Sequence, residues 1–422
     1  MELKSKHEQI LDIVDEVSST VSKLGIAYCT TEDYELDGRI VHINGQELLS
    51  FGSCSYLGLE LDPRLKAGAI DAVQRYGTQF SSSRSYLSVS LYSEIENLLG
   101  QMFNQPIVLA PTTTLGHLSN IPVLIGDNDA VILDSQVHEC VQTSVQLLKT
   151  RNVTVELIRH NRLDMLEERI KTLSETHKKI WYMADGVYSM YGDFPPIKEL
   201  VQLMNKYEQF YLYVDDAHGM SWTGKNGTGY VMSQLTTYPE KLYLVCGLAK
   251  AFGSAGGVLV FPDEASRNKV RHCGKTMIFS GPIQPAVLGA SISSAKIHLS
   301  GEITKLQNDL LKRMEFFNKT ARALGLPLIT ETNSPIFFIG VGKPDVGYNM
   351  IKRMMQLGFY FNLSVFPSVS YKNTGLRIPL TLHHTFADIE NLLKAIAEQL
   401  PYALNDSHSN MNEIYKSFKL VA

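Results

Sequence analysis

Between residues 107 and 261 the chain repeats one pattern, a short apolar run followed by a longer stretch with apolar residues at helical spacing. The runs are 107-IVLA-110, 131-VIL-133, 153-VTVELI-158, 180-IWYM-183, 211-YLYV-214, 242-LYLV-245 and 258-VLVF-261. A strand with one wet face alternates apolar and polar residues, so runs without alternation belong in a sheet covered on both faces. Separated by helices, they predict a mostly parallel, seven-stranded sheet in one large α/β domain, residues 51–300. No Gly-x-Gly-x-x-Gly follows the first run, which argues against a dinucleotide fold.

The flanks read differently. Ile10, Ile13, Val14, Val17 and Val21 share one face of an expected helix, and VHINGQELLSF places an Asn-Gly turn between two extended runs. Residues 1–50 therefore form an arm too small for its own core, expected to pack on the body or on a second subunit. Pro63–Arg75 and Tyr92–Met102 read as helices. After a long helical run from Pro285 to Leu324 come 336-IFFIGV-341, a helix over Tyr348–Leu357, 376-LRIPL-380 and a helix near Asp388–Leu400. These predict a smaller C-terminal α+β domain, 301–422, that shares a cleft with the large one. Residues 407–413 (SHSNMNE) read as a polar turn.

Composition narrows the function. Thirty-nine Lys and Arg balance 43 Asp and Glu, which excludes the basic stripe of a dedicated nucleic-acid binder. No stretch reaches the roughly 18 apolar residues of a membrane span, and the start lacks a secretory segment, so a cytoplasmic protein is expected. Five widely spaced cysteines match neither a zinc knuckle nor a redox dithiol and are expected to be mostly buried thiols; no metal is expected.

Two segments carry chemistry. In 211-YLYVDDAHGMSWTG-224 a strand runs into Asp215, Asp216 and His218, where open α/β sheets place ligands. The same residues also suit a helix cap and a packed imidazole, or two metal ligands, Asp215 and His218, that lack a third. In 242-LYLVCGLAKAFGSAGGVLVF-261 a strand leads to Lys250 among Ala249, Ala251 and Gly253. Most lysines are solvated surface groups. A lysine shielded beside a tight turn has a lowered pKa and a nucleophilic amine. Lysine with a carboxylate for a ring nitrogen is the arrangement that pyridoxal phosphate uses.

With these, 56-YLGL-59, 134-DSQVHE-139, 189-SMYGDFPPI-197 and 376-LRIPLTLHHTFADI-389 make the chain, from about Phe51 to Leu400, similar to the α-oxoamine synthases. These are pyridoxal-phosphate enzymes of fold type I that condense an amino acid with an acyl thioester and lose carbon dioxide. The resemblance implies that Lys250 holds the cofactor and shuttles the α-proton. It gives Asp215 to the pyridine nitrogen, His218 to the ring hydroxyl, His138 to the ring face, and Ser189 to the ring oxygen region or the thioester carbonyl. Asp185 stands where the family has Glu. Arg377 would clamp the substrate carboxylate, with Arg84 also on the substrate side.

The match frays at the phosphate. Gly247 replaces a family Thr or Ser, and Gly281 replaces the Thr beside Ser280, the residue expected to reach across a homodimer with shared active sites. The segment 112-TTTLGH-117 stands for Ser-Gly-aromatic-Ala-Ala-Asn. Thr112, Thr113 and Thr114, at an expected helix start, are the candidate phosphate donors, with a simple N-cap as the alternative. Gly375 replaces an Arg. The expected reaction joins an amino acid to an acyl thioester of coenzyme A or an acyl-carrier protein. Transamination, retro-aldol cleavage and a non-catalytic partner subunit are the alternatives. The run 359-FYFNLSVFPSV-369 is expected either to line an acyl channel or to pack in the core.

Overall fold

The computed structural model describes residues 5–420, so the first four residues of the expected arm and the last two of the C-terminal segment lie outside it. Among the described residues the chain forms twelve strands: β1 (Ile40–Ile43), β2 (Gln46–Phe51), β3 (Ile107–Ala110), β4 (Ala130–Asp134), β5 (Thr154–Ile158), β6 (Ile180–Asp185), β7 (Phe210–Asp215), β8 (Leu242–Gly247), β9 (Gly257–Val260), β10 (Ile336–Gly342), β11 (Phe359–Ser364) and β12 (Thr374–Pro379).

The chain divides into two compact units. One comprises Leu57–Ser189 and Phe194–Asn308. All seven expected strands are present there, in the order β3-β9-β8-β7-β6-β4-β5. β4 to β8 pair in parallel, and β9 lies antiparallel between β8 and β3. β3 thus runs with the parallel set, and the loops leaving β3, β4, β6, β7 and β8 emerge on one edge. Alternate residues fill two cores. Ile132, Tyr182, Leu212, Leu244 and Val260 pack on one face, and Val131, Trp181, Tyr213, Tyr243 and Leu259 on the other. Each large apolar side chain so buried stabilises the fold by about 1.5–3 kcal/mol.

The expected helices around 63–75 and 92–102 are Pro63–Tyr76 and Leu91–Phe103. The long run 285–324 is two helices, Pro285–Leu299 and Glu302–Ala323, because Gly301 takes φ +79 and breaks the ladder.

The other unit holds the described residues of Met1–Tyr56, together with Met190–Asp193 and Asp309–Ala422. Its sheet runs β1-β2-β11-β12-β10. Asn44 and Gly45 have φ of 53 and 70, which suits the tight turn of the β1–β2 hairpin. β2 then pairs in parallel with β11, so the N-terminal segment folds with the C-terminal part of the chain. Within 359–369, Phe361 is buried in the strand. Tyr360, Val365 and Phe366, with Val17, Val21 and Tyr28, line a cavity of about 350 Å³.

The helix near 388–400 extends over Phe386–Asp406, with Thr385 and Asp388 forming its capping box. Residues 407–413 are less of a turn than expected. Asn410 caps a further helix, Met411–Phe418, by accepting from Glu413 N, and Ile414 is buried. The cysteine expectation also needs correction. None of the five forms a disulfide, but only Cys140 and Cys246 are buried, with Cys29 and Cys54 half-buried and Cys273 exposed. No described helix is long and apolar enough to cross a membrane.

Candidate active site

The five loops on the shared edge of the seven-stranded sheet carry most of the residues singled out from the sequence. After β3 comes Thr112, which caps the helix Thr113–Leu124 by accepting from Leu115 N at 3.0 Å. Its hydroxyl is therefore engaged in the cap, while Thr113 and Thr114 stand in the first turn, where free amides favour an anion. After β4, His138 caps the helix Glu139–Lys149 through Nδ1, and its own N–H donates to Asp185 Oδ1 at 2.9 Å. Asp185 ends β6, with Ser189 half-buried four residues on. Asp215 ends β7 directly beside Asp185 in the strand register, and His218, 8% exposed, follows in the turn. Lys250 lies just after β8.

Two carboxyls side by side in a dry sheet cannot both ionise cheaply, and the surroundings separate them. Burial by itself would raise the Asp215 carboxyl. The electrostatic pull of His117 and its hydrogen bond, with His138 and Lys250, hold it below the ordinary carboxylate range. Asp185 accepts a backbone bond from His138 N and feels Lys250, and these do not offset its burial. Burial first, then the charge on Asp215, pushes it well above that range. Asp215 is therefore the anion and Asp185 the neutral acid. Burial lowers the His138 imidazole below its ordinary range. Lys250 acts electrostatically on His138, Asp185 and Asp215 alike, so the lysine, the imidazole and the acid pair form one cluster.

The sequence reading gave no role to His117. Its Nε2 lies 2.8 Å from Asp215 Oδ2 and its Nδ1 2.7 Å from the Tyr213 hydroxyl. It appeared only as a departure from the family's Asn at the end of 112-TTTLGH-117, and no spacing along the chain connects it to β7, about a hundred residues away. The donors gathered with Asp215 are His117 and Cys140, not His218, and both His117 nitrogens are already hydrogen-bonded. The adjacent Asp216 is fully buried and accepts from Val231 N at 2.9 Å, a structural bond that ties down the following turn.

This donor set suits pyridoxal phosphate. A buried, charged carboxylate can hold a protonated ring nitrogen, a lysine lies in its field, and a helix start offers amides and hydroxyls to a phosphate. Gly257 lets β9 approach that helix start closely, since a Cβ there would stand 2.9 Å from Thr113 N. Gly247 has a local cause too. A Cβ at this position would press on Ala217 at 3.0 Å, so no hydroxyl-bearing residue fits without movement, whereas Gly281 faces open space.

Three expected site residues have partners other than the members of this cluster. Arg84 donates to Glu96 Oε1 at 3.0 Å and Leu109 O at 3.1 Å and lies over the Tyr92 ring; to reach a substrate it would have to leave these partners. Ser280 donates to Thr276 O at 2.5 Å. Arg377 belongs to the other unit, where it is 6% exposed, with Cys54 Sγ 3.6 and 3.7 Å from its two terminal nitrogens and Tyr56 beside it. The Phe338 ring occupies the space that a Cβ at Gly375 would need, which explains the missing family Arg.

Residues 46–396 match the family described as aminotransferase class I and II. The chain is 30% identical over 359 residues to the serine palmitoyltransferase of Sphingobacterium spiritivorum, covering 84% of this chain and 87% of that one. It is 26% identical over 357 residues to the 8-amino-7-oxononanoate synthase of Alkaliphilus metalliredigens, covering 84% and 88%. Among solved structures, a serine palmitoyltransferase from S. paucimobilis with PLP and myriocin bound superposes with a TM-score of 0.85 at 22% identity, over 95% of this chain and 99% of that one.

Proposed function

This chain belongs to the pyridoxal-phosphate-dependent aminotransferase class I and II family, in its α-oxoamine synthase group, and we propose that it joins an α-amino acid to an acyl thioester, releasing carbon dioxide and leaving an α-aminoketone. The observation that carries this reading is the pairing of Asp185 and Asp215 at the ends of β6 and β7, with His117 Nε2 2.8 Å from Asp215 Oδ2 and Lys250 just after β8.

When bound, pyridoxal phosphate supplies the electron sink for a carbanion at the amino acid's α-carbon. Asp215 holds a proton on the ring nitrogen, because its charge favours the cationic form. Lys250 Nζ would hold the cofactor and take the α-proton. His138, His218, Ser189 and Asp185 complete the ring site, with Thr113 and Thr114 on the phosphate. Arg377 takes the substrate carboxylate with its planar fork. The thioester is carried by coenzyme A or by an acyl-carrier protein. The active unit is a homodimer in which Ser280 of a second copy completes the phosphate site.

The test uses an amino acid labelled in its carboxyl carbon. Purified protein with pyridoxal phosphate should release labelled carbon dioxide only when an acyl thioester is present. Formation of a keto acid without release of label would replace condensation by transamination.

A further inference from the structure

Behind Asp215 stands a chain of buried polar groups that the proposed reaction does not by itself require. His117 is fully buried, Tyr213 is 1% exposed and Asn120 is fully buried. Asn120 Nδ2 lies 3.5 Å from the Tyr213 hydroxyl, which lies 2.7 Å from His117 Nδ1, and His117 Nε2 lies 2.8 Å from Asp215 Oδ2. The proton order follows from this geometry. A charged Asp215 can only accept, so His117 Nε2 carries a proton, and with Asn120 Nδ2 donating to the Tyr213 hydroxyl the Tyr213 proton is directed to His117 Nδ1. An imidazole accepting at Nδ1 carries its proton on Nε2, where it donates to Asp215.

We propose that His117 and Tyr213 are positioning residues for Asp215: Tyr213 fixes the His117 tautomer, and the His117 Nε2–H holds one carboxylate oxygen so that Asp215 stays charged with free lone pairs for the cofactor's ring nitrogen. The other oxygen is held by Ala217 N at 2.9 Å, so both are anchored from the protein side. The resemblance places Asn at position 117, and an amide lacks the paired ring nitrogens that let His117 bridge Tyr213 and Asp215. The titratable groups facing Asp215 are His117 from the helix Thr113–Leu124, His138 and Cys140 from the start of the next helix, Asp185 from β6, Cys246 from β8, Lys250 and the adjacent Asp216. Tyr213 faces His117 from β7 itself.

The inference rests on the proposed role of Asp215, and the test separates the two. Wild type, His117→Leu, His117→Gln and Tyr213→Phe are loaded with pyridoxal phosphate, and the visible absorbance of the bound cofactor is followed against pH. Without that donor Asp215 takes up a proton more readily and supports the charge on the ring nitrogen less, and the proton held near Lys250 is then less repelled. The midpoint in His117→Leu should therefore rise by at least about one pH unit, a tenfold change in proton affinity. His117→Gln restores an N–H donor and should recover at least half of the shift, and Tyr213→Phe should move the same way by less. In the apoproteins, nitrogen-15 spectra should show the His117 proton on Nε2 in wild type and a mixture of tautomers in Tyr213→Phe. These spectra, together with His117→Gln, decide the matter if His117→Leu does not fold. Unchanged midpoints with cofactor bound, or a wild-type proton on Nδ1, would overturn the relay. A wild type that binds no pyridoxal phosphate would refute the proposed function instead, with the spectra still reporting whether the relay exists.

Discussion

The paired acids at the ends of β6 and β7 should respond in opposite ways to the same isosteric change. In Asp215→Asn one amide oxygen must replace two carboxylate oxygens that accept from different donors, His117 Nε2 at 2.8 Å and Ala217 N at 2.9 Å. Whichever way the amide turns, its NH2 faces one of these donors. A buried donor left unsatisfied costs about 1–3 kcal/mol. In Asp185→Asn the bond accepted from His138 N survives on the amide oxygen, and no stable charge is lost because that carboxyl is held protonated. The signs with pH also differ. Asp215, held low, contributes stability above the ordinary carboxylate pKa that is lost as pH falls through its folded value. Asp185, held high, binds its proton more tightly folded than unfolded, so it costs stability as pH rises above the ordinary value. Calorimetry of the apoproteins at pH 7.5 and one scan rate should show Asp215→Asn melting roughly 2–6 °C lower. Asp185→Asn should match or exceed wild type there, and its advantage should shrink toward pH 4. Carbon dioxide release by Asp215→Asn should fall by about a thousandfold, since preorganised charge is removed from the carbanion step. A stable Asp215→Asn beside a destabilised Asp185→Asn would refute this assignment of charge.

Borohydride reduction of the loaded protein should fix the cofactor on Lys250, read by peptide mass; recovery on another lysine would remove Lys250 from its proposed role. Thr113→Val should weaken pyridoxal phosphate in an equilibrium titration by about 1–3 kcal/mol. Thr112→Val should instead lower the melting temperature through loss of its cap, worth about 1 kcal/mol. Gly375→Arg should lower the melting temperature without improving affinity for the amino acid, because overpacking against Phe338 costs about 1–3 kcal/mol. Burial depresses His298 and His384 to about 4. The folded state then resists protonation that the unfolded chain accepts, and stability should fall from about pH 6.5 toward 4, roughly 2–4 kcal/mol per histidine. Replacing His298 by Phe should flatten that slope in a urea titration.

Local periodicity made much of this protein legible from its sequence. Seven apolar runs without alternation became the seven strands of one sheet, because burial on both faces is written into each run separately. The placement of Asp215 at a strand end and of Lys250 three residues past one was legible for the same reason, since each follows its run closely along the chain. Even the missed helix Met411–Phe418 had a local signal in Asn410 and Glu413. What the tertiary structure decided depends on neighbours distant along the chain. β9 reverses direction between β8 and β3, and β2 crosses to pair with β11, choices set by hydrogen bonds between strands rather than by either strand's own pattern. The same holds for the charges. Asp185 and Asp215 look alike in the sequence, and only the arrival of His117 beside one of them, in an interior too dry for both to ionise, makes Asp215 the anion and Asp185 the acid.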